Sequence, residues 1–334
     1  MQVVTEVISS LPFDRPDRVV ERDEARLFEM PGPHVMRFLT VDLPPLAIYA
    51  FPVQYEPVEF APPRGVFEGP SLRVEWQTMS RNGRQPFYHR NADVDEVGYQ
   101  VYGERTLLTE CGTVEFEVGQ FARIPVGAAH DNYGRDDIHL LFYMHGPAKP
   151  GIEPVGRGKY RVPPYTGWQA KPMVEALTNC LGGPHCDLAY SMIDEELLLG
   201  AGAHASDLLE LLEPSGPAGT IEWIYRAPKV WIGHTRLERT RKRLYERKLC
   251  ADEIQYQVEG TRTVISQRGV ITLRPGDFTC IPKGCAHASI TEGQSKHISV
   301  LTCESTPPVR EATRIADGDV RAWLAAQLET SAHS

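Results

Sequence analysis

The chain has 334 residues, 42% apolar and 24% charged, which is enough for two domains that each bury a core. Its net charge of -9 argues against a nucleic-acid partner, because phosphate binding needs a basic surface. No apolar run reaches the roughly 18 residues of a membrane span, and MQVVTEVISSLPFDRPDR at the start has no basic stretch ahead of an apolar core, so neither a membrane partner nor a secretory signal is expected. Seven cysteines, an odd number with no CxxC pair, suit free thiols in a cytoplasmic protein.

In chain order, the first strong pattern is FYHRNADVDEVGYQVYG, residues 87–103. Short β-type runs follow, RTLLTE and TVEFEV, each closed by a turn residue, and then GQFARIPVGAAHDN. The Pro- and Gly-rich stretch 146–168 reads as a linker. Helices are predicted over 170–181 (AKPMVEALTNCL) and 204–213 (HASDLLELLE). Cys180 and Cys186 flank His185, but a zinc knuckle there would lack a fourth ligand. Trp168 and Tyr190 are candidates either to line a pocket or to pack. The basic run 236–248 reads as a solvated strand or loop interleaved with acids, or as a site for an acidic partner. A last helix is predicted over 318–330, with Asp319 as a plausible cap.

Residues 88–130 align without a gap to 245–287 at a constant offset of 157. Tyr88 matches Tyr245, Asp95-Glu96 matches Asp252-Glu253, Gly103 matches Gly260, and the run from Ile124 to His130 matches Ile281 to His287. This is an internal duplication, so both copies are expected to share one fold, an antiparallel barrel or jelly roll. The spacing G-x5-P-x-G-x2-H, found from Gly119 to His130 and again from Gly276 to His287, resembles the second motif of the cupin family. The segment His89 to Gly103 resembles the first, H-x-H-x(3,4)-E-x6-G. The wording around His89 is also similar to homogentisate 1,2-dioxygenase-like and 3-hydroxyanthranilate dioxygenase-like cupins. The resemblance implies an all-β bicupin with few peripheral helices. The division expected is 1–150 for an N-terminal, metal-bearing barrel, 151–215 for a linker and helical insert, and 216–334 for a C-terminal barrel.

Strand side chains alternate faces, so the expected inward set in the first copy is His89, Asn91, Glu96, Gln100 and His130. Two imidazoles and a carboxylate make the facial triad of non-haem iron(II) enzymes, which points to His89, Glu96 and His130 as metal ligands. Asn91 stands where the family pattern has a second histidine, and is expected to hydrogen-bond a bound water or the substrate. The gap from His89 to Glu96 is also slightly longer than in the ring-cleaving relatives. The second copy has Glu246, Lys248, Glu253 and His287 at these positions, a poor iron site that reads as degenerate; a hard-metal site on Glu246, Glu253 and His287 is the minority alternative. The resemblance to homogentisate dioxygenases implies a metal in the C-terminal half, so the arrangement here is reversed.

Iron(II) is the first expectation, and the same triad can hold Mn, Ni or Zn. Gln100 is a candidate to orient oxygen or a substrate atom. Arg123 and Arg90 are candidates to hold a substrate carboxylate, with Arg90 placed outward by parity. Of His139 and His145, one is expected buried and hydrogen-bonded and the other at the surface. The leading expectation is a ring-cleaving dioxygenase using O2 and a small hydroxylated or amino-substituted aromatic. A metal-dependent isomerase, hydrolase or cyclase and a non-catalytic binding protein are the alternatives. A homodimer is the default assembly.

Overall fold

A computed structural model describes residues 2–10, 15–40, 44–57, 62–181, 186–205, 208–240 and 242–332. The protein is all-β, two antiparallel barrels with a few helices, of which only Val320–Ala332 exceeds six residues among those described. The first barrel lies in an 11-stranded sheet; the second is shared between a six-stranded and an eight-stranded sheet. The duplication reappears as register. Glu96 lies opposite Ile124 and Tyr143, and Glu253 lies opposite Ile281 and Leu301. Gly103 and Gly260 both take positive φ, 67° and 71°. A Cβ there would come within 2.3 Å of the Asp136 carbonyl oxygen and 2.1 Å of that of Gln294, so only glycine fits this turn in either copy.

Strand pairing cuts across the division expected at residues 150 and 215. Val3–Ser9 runs parallel to Leu244–Lys248, and Ala47–Ala50 pairs with Asp277–Ile281, so the N-terminal arm builds onto the second barrel. Pro172–Asn179 runs parallel to Phe87–Asn91, and Glu210–Leu212 pairs with Phe121–Ile124, so the middle arm builds onto the first. Each arm follows the same plan. A buried glutamate bonds a barrel tyrosine: Glu24 accepts from Tyr245 at 2.8 Å and Glu195 from Tyr88 at 3.0 Å. The basic run 236–248 is therefore met by acids of the same chain, since Arg243 pairs with Glu24 and Arg247 pairs with Glu6 at 2.6 Å.

Two helix expectations are corrected by these pairings. Residues 172–179 form a strand whose Met173 and Ala176 are buried, Met173 packing with Tyr88. The apolar spacing had the look of a helix, but pairing with Phe87–Asn91 satisfies the backbone and overrides it. In 204–213 a short helix, Gly202–Ala205, gives way to strand Glu210–Leu212; residues 206–207 lie outside the described residues. The C-terminal helix is present, and Asp319 accepts from the Ala322 amide at 2.9 Å.

One apolar core joins the barrels. It includes Val74, Trp76 and Phe142 from the first, Tyr256, Phe278 and Val300 from the second, and Tyr49 and Phe51 from the N-terminal arm. The Leu72–Met79 strand is buried throughout. By alternation, Val74 and Trp76 face this core while Arg73, Glu75 and Gln77 face the interior of the first barrel. These polar groups share that interior with the apolar Leu141 and Tyr143.

Candidate metal centre

His89 sits on the Phe87–Asn91 strand, directly opposite His130 on Ala129–Met144, and their ring centroids are 5.3 Å apart. Glu96 arrives from the neighbouring strand, Asp95–Thr109, just after the turn that follows Asn91. One donor atom from each of His89, Glu96 and His130 falls within a span of 4.8 Å. Among the described residues this is the one such gathering of three or more His, Cys, Asp or Glu donors. Three residues expected from sequence to be ligands are thus brought together.

The neighbours orient these groups. His130 Nδ1 donates to the Ala128 carbonyl at 3.0 Å, which points Nε2 at Glu96 Oε2, 3.2 Å away. Asn91 Nδ2 donates to the same Oε2 at 3.1 Å. Asn91 is itself held, because the Cys180 thiol donates to its Oδ1 at 3.2 Å. Burial pushes the Cys180 thiol up to about 12, so it is a donor and not a thiolate. Burial alone would raise the Glu96 carboxyl, but His130, His89 and Asn91 outweigh it and hold it near 2. Burial, and then the adjacent His130, push His89 down to about 4, leaving it neutral. A neutral imidazole, an ionised carboxylate and a second imidazole fixed by its own backbone bond fit a first-row divalent ion.

Asn91 is buried and donates to Glu96, so its amide braces a candidate ligand. Gln100 and Arg123 are not part of this cluster. Gln100 lies four residues beyond Glu96, about 13 Å along the strand. Its Nε2 donates to the Tyr102 carbonyl at 2.9 Å. Gln257 makes the matching bond to Glu259 at 2.8 Å, so this amide braces the glycine turn in both copies. Arg123 lies opposite Val97, on the face away from Glu96, and pairs with Asp95 at 3.2 Å. Arg90 points outward as expected and pairs with Glu110 and Glu175. His139 is buried between Asp137 (2.7 Å) and Gln77 (3.0 Å), while His145 is exposed and bonds the Asp93 carbonyl. Trp168 packs with the cluster around Tyr88, and Tyr190 is 83% exposed. All seven cysteines are free, Cys180 buried and Cys186 exposed; His185, between them in sequence, lies outside the described residues.

Sequence reasoning missed Arg105. This guanidinium is buried, stacks on Phe116 at 4.6 Å and donates one bond, Nη1 to Asn132 Oδ1 at 3.2 Å. Its Nε has no partner among the described residues. In the second copy the matching Arg262 is fully engaged, with bonds to Gln257, Ser289 and Gln255. The difference is Gly98, which stands where the second copy has Gln255. A Cβ on Gly98 would lie 2.5 Å from Arg105 Nη2, so the absent side chain makes room for the guanidinium and leaves it without the glutamine partner that Arg262 has. The signal was available, since both copies carry Arg-Thr at matching positions (RTLLTE, RTVISQ).

Among the described residues, the second copy gathers no comparable donor set. Lys248 pairs with Glu246 at 2.6 Å, and His287 stands 3.7 Å from Glu253, too far for a hydrogen bond.

No protein-family model matches the chain, and no curated protein sequence matches it. Among solved structures, it is similar to a cupin 2 conserved barrel domain protein from Leptotrichia buccalis, with 9% identity, 74% of this chain and 92% of that chain covered, and TM-score 0.45. A variant of salicylate 1,2-dioxygenase from Pseudoaminobacter salicylatoxidans gives 14%, 72%, 75% and 0.43 on the same measures. A variant of Bacillus subtilis oxalate decarboxylase gives 10%, 79%, 79% and 0.43. With TM-scores this low the likeness carries no argument, and the two-barrel fold rests on the strand pairing itself.

Proposed function

We propose that the chain is a metal-dependent enzyme of cupin type that holds iron(II) on His89, Glu96 and His130 and opens the ring of a small hydroxylated or amino-substituted aromatic with O2. The observation that carries this reading is the convergence of three donors within 4.8 Å in the copy whose motifs predicted them. An iron ion held by His89, Glu96 and His130 would supply open positions for substrate and O2 and the electrons for their reaction. The chain's own groups fix that arrangement: the Ala128 carbonyl orients His130, and Asn91 holds Glu96. We assign the substrate-anchoring role to Arg105 instead of Arg123, because Arg105 is a buried cation whose Nε has no hydrogen-bond partner among the described residues.

The test is metal content of protein purified without oxygen, wild type beside Glu96→Ala and His287→Ala. One equivalent of iron, lost in Glu96→Ala and kept in His287→Ala, is expected. Oxygen-uptake assays with catechols and aminophenols follow. Turnover of a small molecule with no oxygen consumed would move the reading to an isomerase, hydrolase or cyclase. Absence of metal from the wild type would overturn it in favour of a binding protein.

A further inference from the structure

The second barrel has lost the metal donors but not its chamber. A cavity of about 360 Å³ opens there, a size suited to a small ligand, and Glu246, Lys248, Glu253, His287 and His297 are on its walls. Register against the first barrel explains the space. Ser299 stands where the first barrel has Leu141, and Thr235 where it has Gln77. In the first barrel Gln77 bonds the buried His139, and Leu141 packs with Tyr143 and Leu181. The smaller Ser299 and Thr235 leave the equivalent histidine, His297, facing the cavity, although Gln255 on the same wall replaces Gly98.

Three buried polar atoms on this cavity have no hydrogen-bond partner among the described residues: Glu253 Oε2, His287 Nδ1 and His297 Nδ1. Glu253 Oε1, in contrast, accepts from Gln255 and Ser299. Charged groups on the walls are equal in number, Glu238, Glu246 and Glu253 against Arg239, Lys242 and Lys248. Glu246 is matched by Lys248, and the buried Glu253 by the buried Arg262 nearby. Burial holds both histidines below their ordinary range and so neutral. A charged ligand would bring an uncompensated charge into this chamber, whereas an uncharged one with hydroxyls meets both a carboxylate acceptor and imidazole nitrogens. Ile221, Leu237 and Leu244 supply an apolar wall for a C–H face.

We propose that the second barrel binds an uncharged polyol of monosaccharide size, without a metal, with its hydroxyls on Glu253, His287 and His297.

The experiment is calorimetric titration of the full chain, with a chelator present, using D-glucose, D-mannose and myo-inositol. Gluconate and glucosamine serve as charged relatives. Two variants restore the first barrel's residues, Thr235→Gln and Ser299→Leu, each checked by circular dichroism and thermal melting. Saturable binding of at least one uncharged probe is expected, weaker by about tenfold or more in whichever variant is folded, with the charged relatives binding more weakly. No heat with any uncharged probe would overturn the proposal and leave a water-filled chamber. Equal or tighter binding of a charged relative, or binding untouched in both variants, would overturn it as well.

Discussion

At the scale of single residues, the two copies act as controls for each other. Asn91 shows how a position can leave the ligand set and still serve the site: its amide holds Glu96 while a thiol holds the amide. Asn91→Ala is expected to weaken iron binding by about tenfold to a hundredfold, measured by anaerobic titration, without abolishing it. Total loss would make Asn91 a ligand. The arginine pair gives a second contrast. Arg262→Met strips donors from Gln255, Gln257 and Ser289, and should lower stability by about 3 kcal/mol or more in urea unfolding. Arg105→Met removes a cation with a single bond, so about 1 kcal/mol or less is expected, with turnover falling far more than stability. Equal stability losses would deny Arg105 its spare donors. The convergence of His89, Glu96 and His130 was legible in the sequence because strand parity and two linked motifs both constrain it. Arg123 and Gln100 lie apart from that cluster, and parity alone does not report which pairs are already made: Asp95 takes one, and the Tyr102 carbonyl takes the other.

At the scale of elements, the arms were the illegible part. Barrel strands announce themselves by glycine-punctuated β runs, but Pro172–Asn179 is a strand only because Phe87–Asn91 lies beside it. No local pattern encodes a partner some 80 residues away. The N-terminal arm has the same dependence, and its latch is Glu6, fully buried between Arg22 (2.7 Å) and Arg247 (2.6 Å). Burial alone would raise the Glu6 carboxyl, but the bonds from Arg22 and Arg247 outweigh it and hold it below 4.5. A depressed folded value contributes stability that is fully present above the unfolded value of 4.5 and disappears as pH falls through the folded one. Glu6→Gln should therefore destabilise the protein by about 2 kcal/mol at neutral pH. The gap between variant and wild type should close as the pH drops below the ordinary carboxylate range. Urea midpoints measured across that range would decide it, and a gap that widened on acidification would contradict the latch.

At the scale of the whole molecule, the crossed arms decide how the chain can come apart. The sequence repeat suggests two barrels that could be cut near residue 150, each carrying its own fold. The pairing says otherwise. A 1–150 fragment keeps the strands of the first barrel but loses Pro172–Asn179 and Glu210–Leu212 from its edges, while carrying an arm whose partners are in the other piece. It would also expose its side of a core in which Trp76, Phe142, Phe278 and Val300 belong to one cluster. Open edges and an uncovered apolar face favour aggregation over folding. The intact chain should then melt in one calorimetric transition, with equal calorimetric and van't Hoff enthalpies. The fragments 1–150 and 151–334 should each be insoluble or unfolded alone, yet recover strand signal when refolded together. Two resolved transitions, or a 1–150 fragment that is monomeric, folded and loaded with metal, would mean that the arms are ornaments on two independent barrels. A single transition would tie the first barrel's chemistry to the second, since any ligand that stabilises the second chamber would then raise the melting temperature of the whole chain, metal centre included.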